Sequence, residues 1–139
     1  MHRYHTRFQA RQPQVRVNET PFYPKEDVVF LTECIERSEN LVGADHRIKS
    51  LLDMYSYLAV HQALLHHPQF RTTVAQKITH VRQDMENEQK KAICTFVSLY
   101  SPHGNGSFYS GRLEEARRVL YYSPLLEVEF KKVETILSQ

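Results

Sequence analysis

Apolar side chains recur at three- and four-residue spacing along most of the chain, and only four glycines in 139 residues interrupt them. That period places a buried stripe along a helix and cannot line one face of a strand. The pattern predicts an all-α fold of about five helices in a bundle. The first stripe is Val28, Leu31, Ile35, Ser38 and Val42, flanked by Cys34 and Leu41. Pro24 suits the first turn of that helix, acids follow at Glu26 and Asp27, and Gly43 supplies a stop. A second helix is expected over 45–67, capped by Asp45, with Ile48, Leu51, Leu52, Tyr55, Leu58, Ala59 and Leu65 inward. Pro68 ends it. Because Met54, Tyr57 and Leu64 add apolar surface on other sides, this element is expected at the centre.

The third stripe, Val74, Ile78, Val81, Met85, Ala92, Phe96 and Leu99, keeps its register through the polar Asn87-Glu88-Gln89. It predicts one long helix over 72–100, either protruding towards a second subunit or bending near Asn87. Three of the four glycines fall in 101–111, which predicts a loop. A fourth helix is expected over 113–122. Ser123-Pro124 then reads as an N-cap followed by proline at the first helical position, opening a fifth. The fifth carries Leu126, Phe130, Val133 and Leu137 inward and a Glu127–Lys131 pair outside. Alternation of Leu126, Val128 and Phe130 allows a strand there, but no second strand is available to pair with it.

Charge divides the chain differently. Residues 1–18 hold Arg3, Arg7, Arg11 and Arg16 with no acid, while the other 121 residues hold 14 basic and 16 acidic side chains, a net of −2. The expected organisation is a basic, flexible arm over 1–19 and a helical domain over 20–139. Arg3, Arg7 and Arg11 share helical spacing with Tyr4 and Phe8 beside them, so the arm would fold only on a partner. Arginines interleaved with aromatics can contact phosphates and stack on bases. The candidate nucleic-acid-binding residues are therefore Arg3, Tyr4, Arg7, Phe8, Arg11 and Arg16. Protein docking by the arm, or a solvated terminus, are the alternatives. Four arginines would give a salt slope of at most about 0.9 × 4.

Other chemistry finds little support. His61, His66 and His67 are spaced onto different helix faces, and no HExxH motif is present. His80 and Asp84 share a face and could form half a metal site or a surface hydrogen bond. The 104–111 loop follows a helix and lacks a GK[ST] ending, against a phosphate cradle. There is no GxSxG elbow, and Cys34 lies on a core stripe where a thiol is inert. No catalytic, metal or cofactor assignment is made, and the expected function is non-enzymatic. Cys34 and Cys94 lack CxxC spacing and read as small core hydrophobes in a reducing compartment, with an inter-helix disulfide as the alternative. No signal-peptide core occurs in residues 1–20, so an intracellular location is expected. The most apolar stretch, 51–65, is too short for a membrane span.

The opening Tyr4-His5-Thr6-Arg7-Phe8-Gln9-Ala10-Arg11 resembles the Tyr-x-Thr-Arg-Phe-Gln-Ala starts of short proteins from amoeba-infecting giant DNA viruses. The resemblance implies host cytoplasm or a virion as the setting and brings no functional residues. The expectation is an oligomeric structural or packaging protein, possible virion component included, whose arm engages nucleic acid or a protein partner. The alternative is a helical interaction module, a viral modulator of host signalling, that binds through a groove between helices.

Overall fold

The computed structural model describes residues 25–99 and 110–139. These form four α-helices and one short 3-10 helix, with no strand among the described residues. Helix α1 is Lys25–Glu39, α2 is Ala44–Val60, the 3-10 turn is Gln62–His66, α3 is Pro68–Leu99 and α4 is Ser110–Leu137.

The expected stripes become the core. Leu31 and Ile35 of α1, Tyr55 and Leu58 of α2, Val74 and Ile78 of α3, and Leu126, Phe130 and Val133 of α4 are all essentially inaccessible to solvent. Leu64 and Leu65 of the 3-10 turn join them in one continuous cluster. Helix α4 packs against both α2 and α3, and α1 packs mainly on α2.

Several boundaries differ from expectation. The two predicted C-terminal helices are a single 28-residue helix with Pro124 in its interior. The reason is the buried face. Ala116, Val119, Ser123, Leu126, Phe130 and Val133 keep one unbroken 3-4 stripe through the proline, while Pro124 itself faces outward. Continuous burial outweighs one missing hydrogen bond. Helix α1 ends at Glu39, short of Val42, and Leu41 and Val42 are exposed. The chain turns there through Gly43 at φ +94°, where an added Cβ would lie 3.0 Å from His46 Cδ2 and 3.1 Å from Asp45 Oδ1.

Asp45 does not cap α2. It lies within the first turn, buried, accepting from the His46 backbone N–H at 2.9 Å and facing Arg118 Nη1 at 3.5 Å. The second helix stops at Val60, seven residues short of expectation, and tightens into the 3-10 turn. His67 is extended, as a residue before proline prefers, and Pro68 opens α3 instead of merely ending α2.

Helix α3 runs uninterrupted through Asn87-Glu88-Gln89 for 32 residues, about 48 Å at the helical rise. Its length is matched by α4, which lies antiparallel along it. Arg71, near the start of α3, donates to the carbonyls of Leu137 and Gln139 at the chain's end. At the other extreme, Glu88, Lys91, Ala92 and Thr95 face Arg112, Glu115, Ala116 and Val119 across a small cleft. Cys34 is buried as expected, whereas Cys94 is exposed, and both are free thiols.

Candidate interaction surfaces

The candidate nucleic-acid residues Arg3, Tyr4, Arg7, Phe8, Arg11 and Arg16 lie outside the described residues, as does most of the 101–111 loop. Among the described residues, a polar groove and an exposed apolar stripe on α4 are candidate interaction surfaces.

The groove forms where α1 hands over to α2 beside α3. Its cavity of about 340 Å³ is lined by Glu39, Asn40, Leu41, Arg47, Leu51, His80, Val81 and Asp84. The end of α1 is fixed by the Asn40 side chain, which donates to the Glu36 carbonyl at 2.7 Å. Lys77 of α3 reaches across to Glu39 at 2.9 Å and lies 4.0 Å from Glu36. Arg47 of α2 donates to the Leu41 carbonyl at 3.3 Å and stands 3.7 Å from Glu88. The groove's main charges are thus matched within the chain, and they tie α3 to the α1–α2 turn.

His80 and Asp84 share the α3 wall of this groove, as their spacing predicts. No hydrogen bond joins them among the described residues, and there is no group of three or more His, Cys, Asp or Glu side chains placed to hold a metal ion. His61 is elsewhere, its ring against Tyr57 at a centroid distance of 4.0 Å. Partial burial there lowers its pKa.

The strongest polar constellation was not legible in the sequence. Arg82 of α3 forks between two carboxylates of α4: Nε and Nη2 donate to Glu127 at 2.9 and 2.6 Å, and Nη1 and Nη2 donate to Glu134 at 2.8 and 2.9 Å. Its guanidinium also lies 5.5 Å from the centre of the Phe130 ring. Hydrogen bonds donated to both glutamates hold the Arg82 charge in place and raise its pKa, and Arg82 in turn lowers that of Glu134. The expected Glu127–Lys131 pair is replaced by this contact between helices, because Arg82 approaches from the facing element. The i,i+7 spacing of Glu127 and Glu134 was the available signal. It had meaning only once a neighbour was known.

We compared the chain with family models, with curated proteins and with solved structures. None matches. The surface must therefore be read from its own chemistry.

The second surface is the outward face of α4. Tyr121 (66% exposed), Leu125 (42%) and Val128 (51%) follow at four- and three-residue steps, opposite the buried stripe. The same 4-3 spacing extends to Glu114 and Arg118 on one side and Lys132 on the other. Glu114 pairs locally with Arg117 at 2.7 Å and Arg118 at 3.4 Å, and Lys132 with Glu129 at 3.2 Å. Hydrogen bonding from Arg117 lowers the Glu114 pKa, so it is anionic at neutral pH. No helix of the described residues is long and apolar enough to cross a membrane.

Proposed function

We propose that the chain is a non-enzymatic, oligomeric structural or packaging protein whose basic arm engages nucleic acid. The carrying observation is the separation of charge: four arginines and no acid in residues 1–18, against a net of −2 in the rest. A local excess of arginine beside aromatics attracts phosphate and can stack on bases, while a nearly neutral body adds no competing field. The body's ion pairs support this division of labour. Arg82, Lys77 and Arg47 are engaged between helices, holding the domain together. If the giant-virus resemblance of residues 4–11 holds, the setting of this activity would be host cytoplasm or a virion.

Fluorescence anisotropy with duplex and single-stranded DNA tests the proposal, comparing the full chain with a variant in which Arg3, Arg7, Arg11 and Arg16 are all glutamine. The expected result is binding that weakens with salt, with a log–log slope no steeper than about −3.6 per bound chain for duplex, and that disappears in the variant. Binding that persists in the variant would show the arm is not the site. No binding at low salt would reject nucleic acid as its partner and leave protein docking.

The α1–α2–α3 groove favours a second reading, an interaction module for a protein partner. Its lining is mostly polar, with Glu39 and Arg47 already paired, which suits a polar loop better than the apolar face of a helix. Such binding would survive loss of the arm arginines and respond to Arg47→Ala.

A further inference from the structure

We infer that the outward face of α4 is a self-complementary interface, on which a second copy of this chain docks with its own α4 antiparallel. The inference rests on the oligomeric part of the function proposed above and names the surface that part requires.

The face consists of Glu114, Arg118, Tyr121, Leu125, Val128 and Lys132 at steps of 4, 3, 4, 3 and 4 residues. A stripe with that spacing reads as one side of a helix pair. Its apolar middle is exposed, and no described element of the chain covers it. The identity of the partner follows from the symmetry of the pattern. The stripe is centred on position 123, so a two-fold axis there lays Tyr121 of one copy against Leu125 of the other, twice.

The same axis brings Glu114 of each copy opposite Lys132 of the other and sets the stem of Arg118 across Val128, while its guanidinium keeps its contacts with Glu114 and Asp45. Both ends of the interface are then acid against base. A parallel pair would instead set Glu114 against Glu114 and Lys132 against Lys132, so charge selects the antiparallel arrangement. The side chains of Glu114 and Lys132 are 41% and 58% exposed, and their existing pairs are short-range contacts within α4. Both can accept a further partner without breaking contacts between helices.

Three apolar side chains per copy make a small patch beside the roughly 1,200–2,000 Å² of a stable interface. The dimer is therefore weak and concentration-dependent, and the arm's avidity for nucleic acid rises where chains accumulate.

Sedimentation equilibrium of the full chain over a wide concentration range tests this. The average mass should climb from the 16.4 kDa of one chain towards twice that value. Leu125→Arg should hold it at one chain while the far-UV circular dichroism stays unchanged. Lys132→Glu turns two attractive contacts per dimer repulsive and should weaken association about tenfold. Adding Glu114→Lys to Lys132→Glu should restore it, since the acid–base pairs re-form with reversed sign. The inference is overturned if association ignores Leu125→Arg, or if the double charge swap is no better than Lys132→Glu. In that case an oligomer exists through another surface and the broader proposal survives. A chain that stays single at every concentration overturns both.

Discussion

Tyr55 carries a polar atom that the fold encloses without a partner among the described residues. Its ring is fully buried and meets Phe130 edge-on, with centroids 4.8 Å apart and planes at 86°. The hydroxyl is enclosed with no hydrogen-bond partner among the described residues. Burial raises its pKa, and the Glu39 carboxylate raises it further, so the phenol stays neutral at any ordinary pH. A buried donor without an acceptor costs about 1–3 kcal/mol, and deleting the oxygen leaves the ring contact intact. Tyr55→Phe should therefore stabilise the protein by about 1 kcal/mol, seen as a higher urea midpoint with an unchanged slope. A loss of stability would mean that the hydroxyl has an acceptor after all.

At the scale of the element, α4 is the unusual one. Proline inside a helix removes one backbone hydrogen bond and crowds the preceding turn, a cost of about 3 kcal/mol. Here the Leu120 carbonyl loses its donor, while the neighbouring Val119 carbonyl accepts from the buried Ser123 hydroxyl at 2.6 Å. The helix persists because its buried stripe continues on both sides of position 124. Replacing the exposed proline restores the bond without changing that stripe. Pro124→Ala is expected to raise the melting temperature, by about 1–3 kcal/mol of stability. A lower melting temperature would instead show that α4 needs the proline's bend to seat on α2 and α3 together.

Across the whole molecule, α3 and α4 are joined along their length by the core and by Arg82. Removing that guanidinium leaves Glu127 and Glu134 facing each other unpaired. Both are partly solvated, with the Glu134 side chain 43% exposed, so the cost of Arg82→Ala is about 1 kcal/mol and shrinks in salt. Arg82→Lys keeps the charge but cannot fork between two carboxylates, and should fall between the two. Equilibrium denaturation at low and high salt measures both variants.

Acid should act on the same scale. His61 and Glu134 both have pKa values below their ordinary ones in the folded chain. Each therefore contributes stability that is complete above its unfolded pKa and is lost as pH falls through the folded one. The His61 contribution begins to fade below about pH 6.5, and that of Glu134 below about pH 4.3. A melting temperature falling in these two steps is expected, with the lower step smaller in Arg82→Ala, where only Glu114, held down by Arg117, still contributes to it.

Periodicity alone determined that the described residues are helical and most of what they bury, although Leu41 and Val42 of the first stripe are exposed. Val28, Leu31, Ile35, Tyr55, Val74, Ile78, Leu126 and Phe130 all sit where a 3-4 stripe places them, because one helix face must meet the core whatever its neighbour is. The concentration of arginine in residues 1–18 was equally plain. Local signals failed where a distant contact outweighed them. Ser123-Pro124 carries the mark of a helix start, yet the core it bridges holds α4 continuous. Glu127 has a ready partner four residues on, but Arg82 comes from 45 positions away. The exposed stripe of Tyr121, Leu125 and Val128 was equally hidden, since a sequence shows that residues are apolar but not which apolar faces its neighbours leave uncovered. Local spacing sets the helices; only their packing decides which surfaces remain to meet a partner.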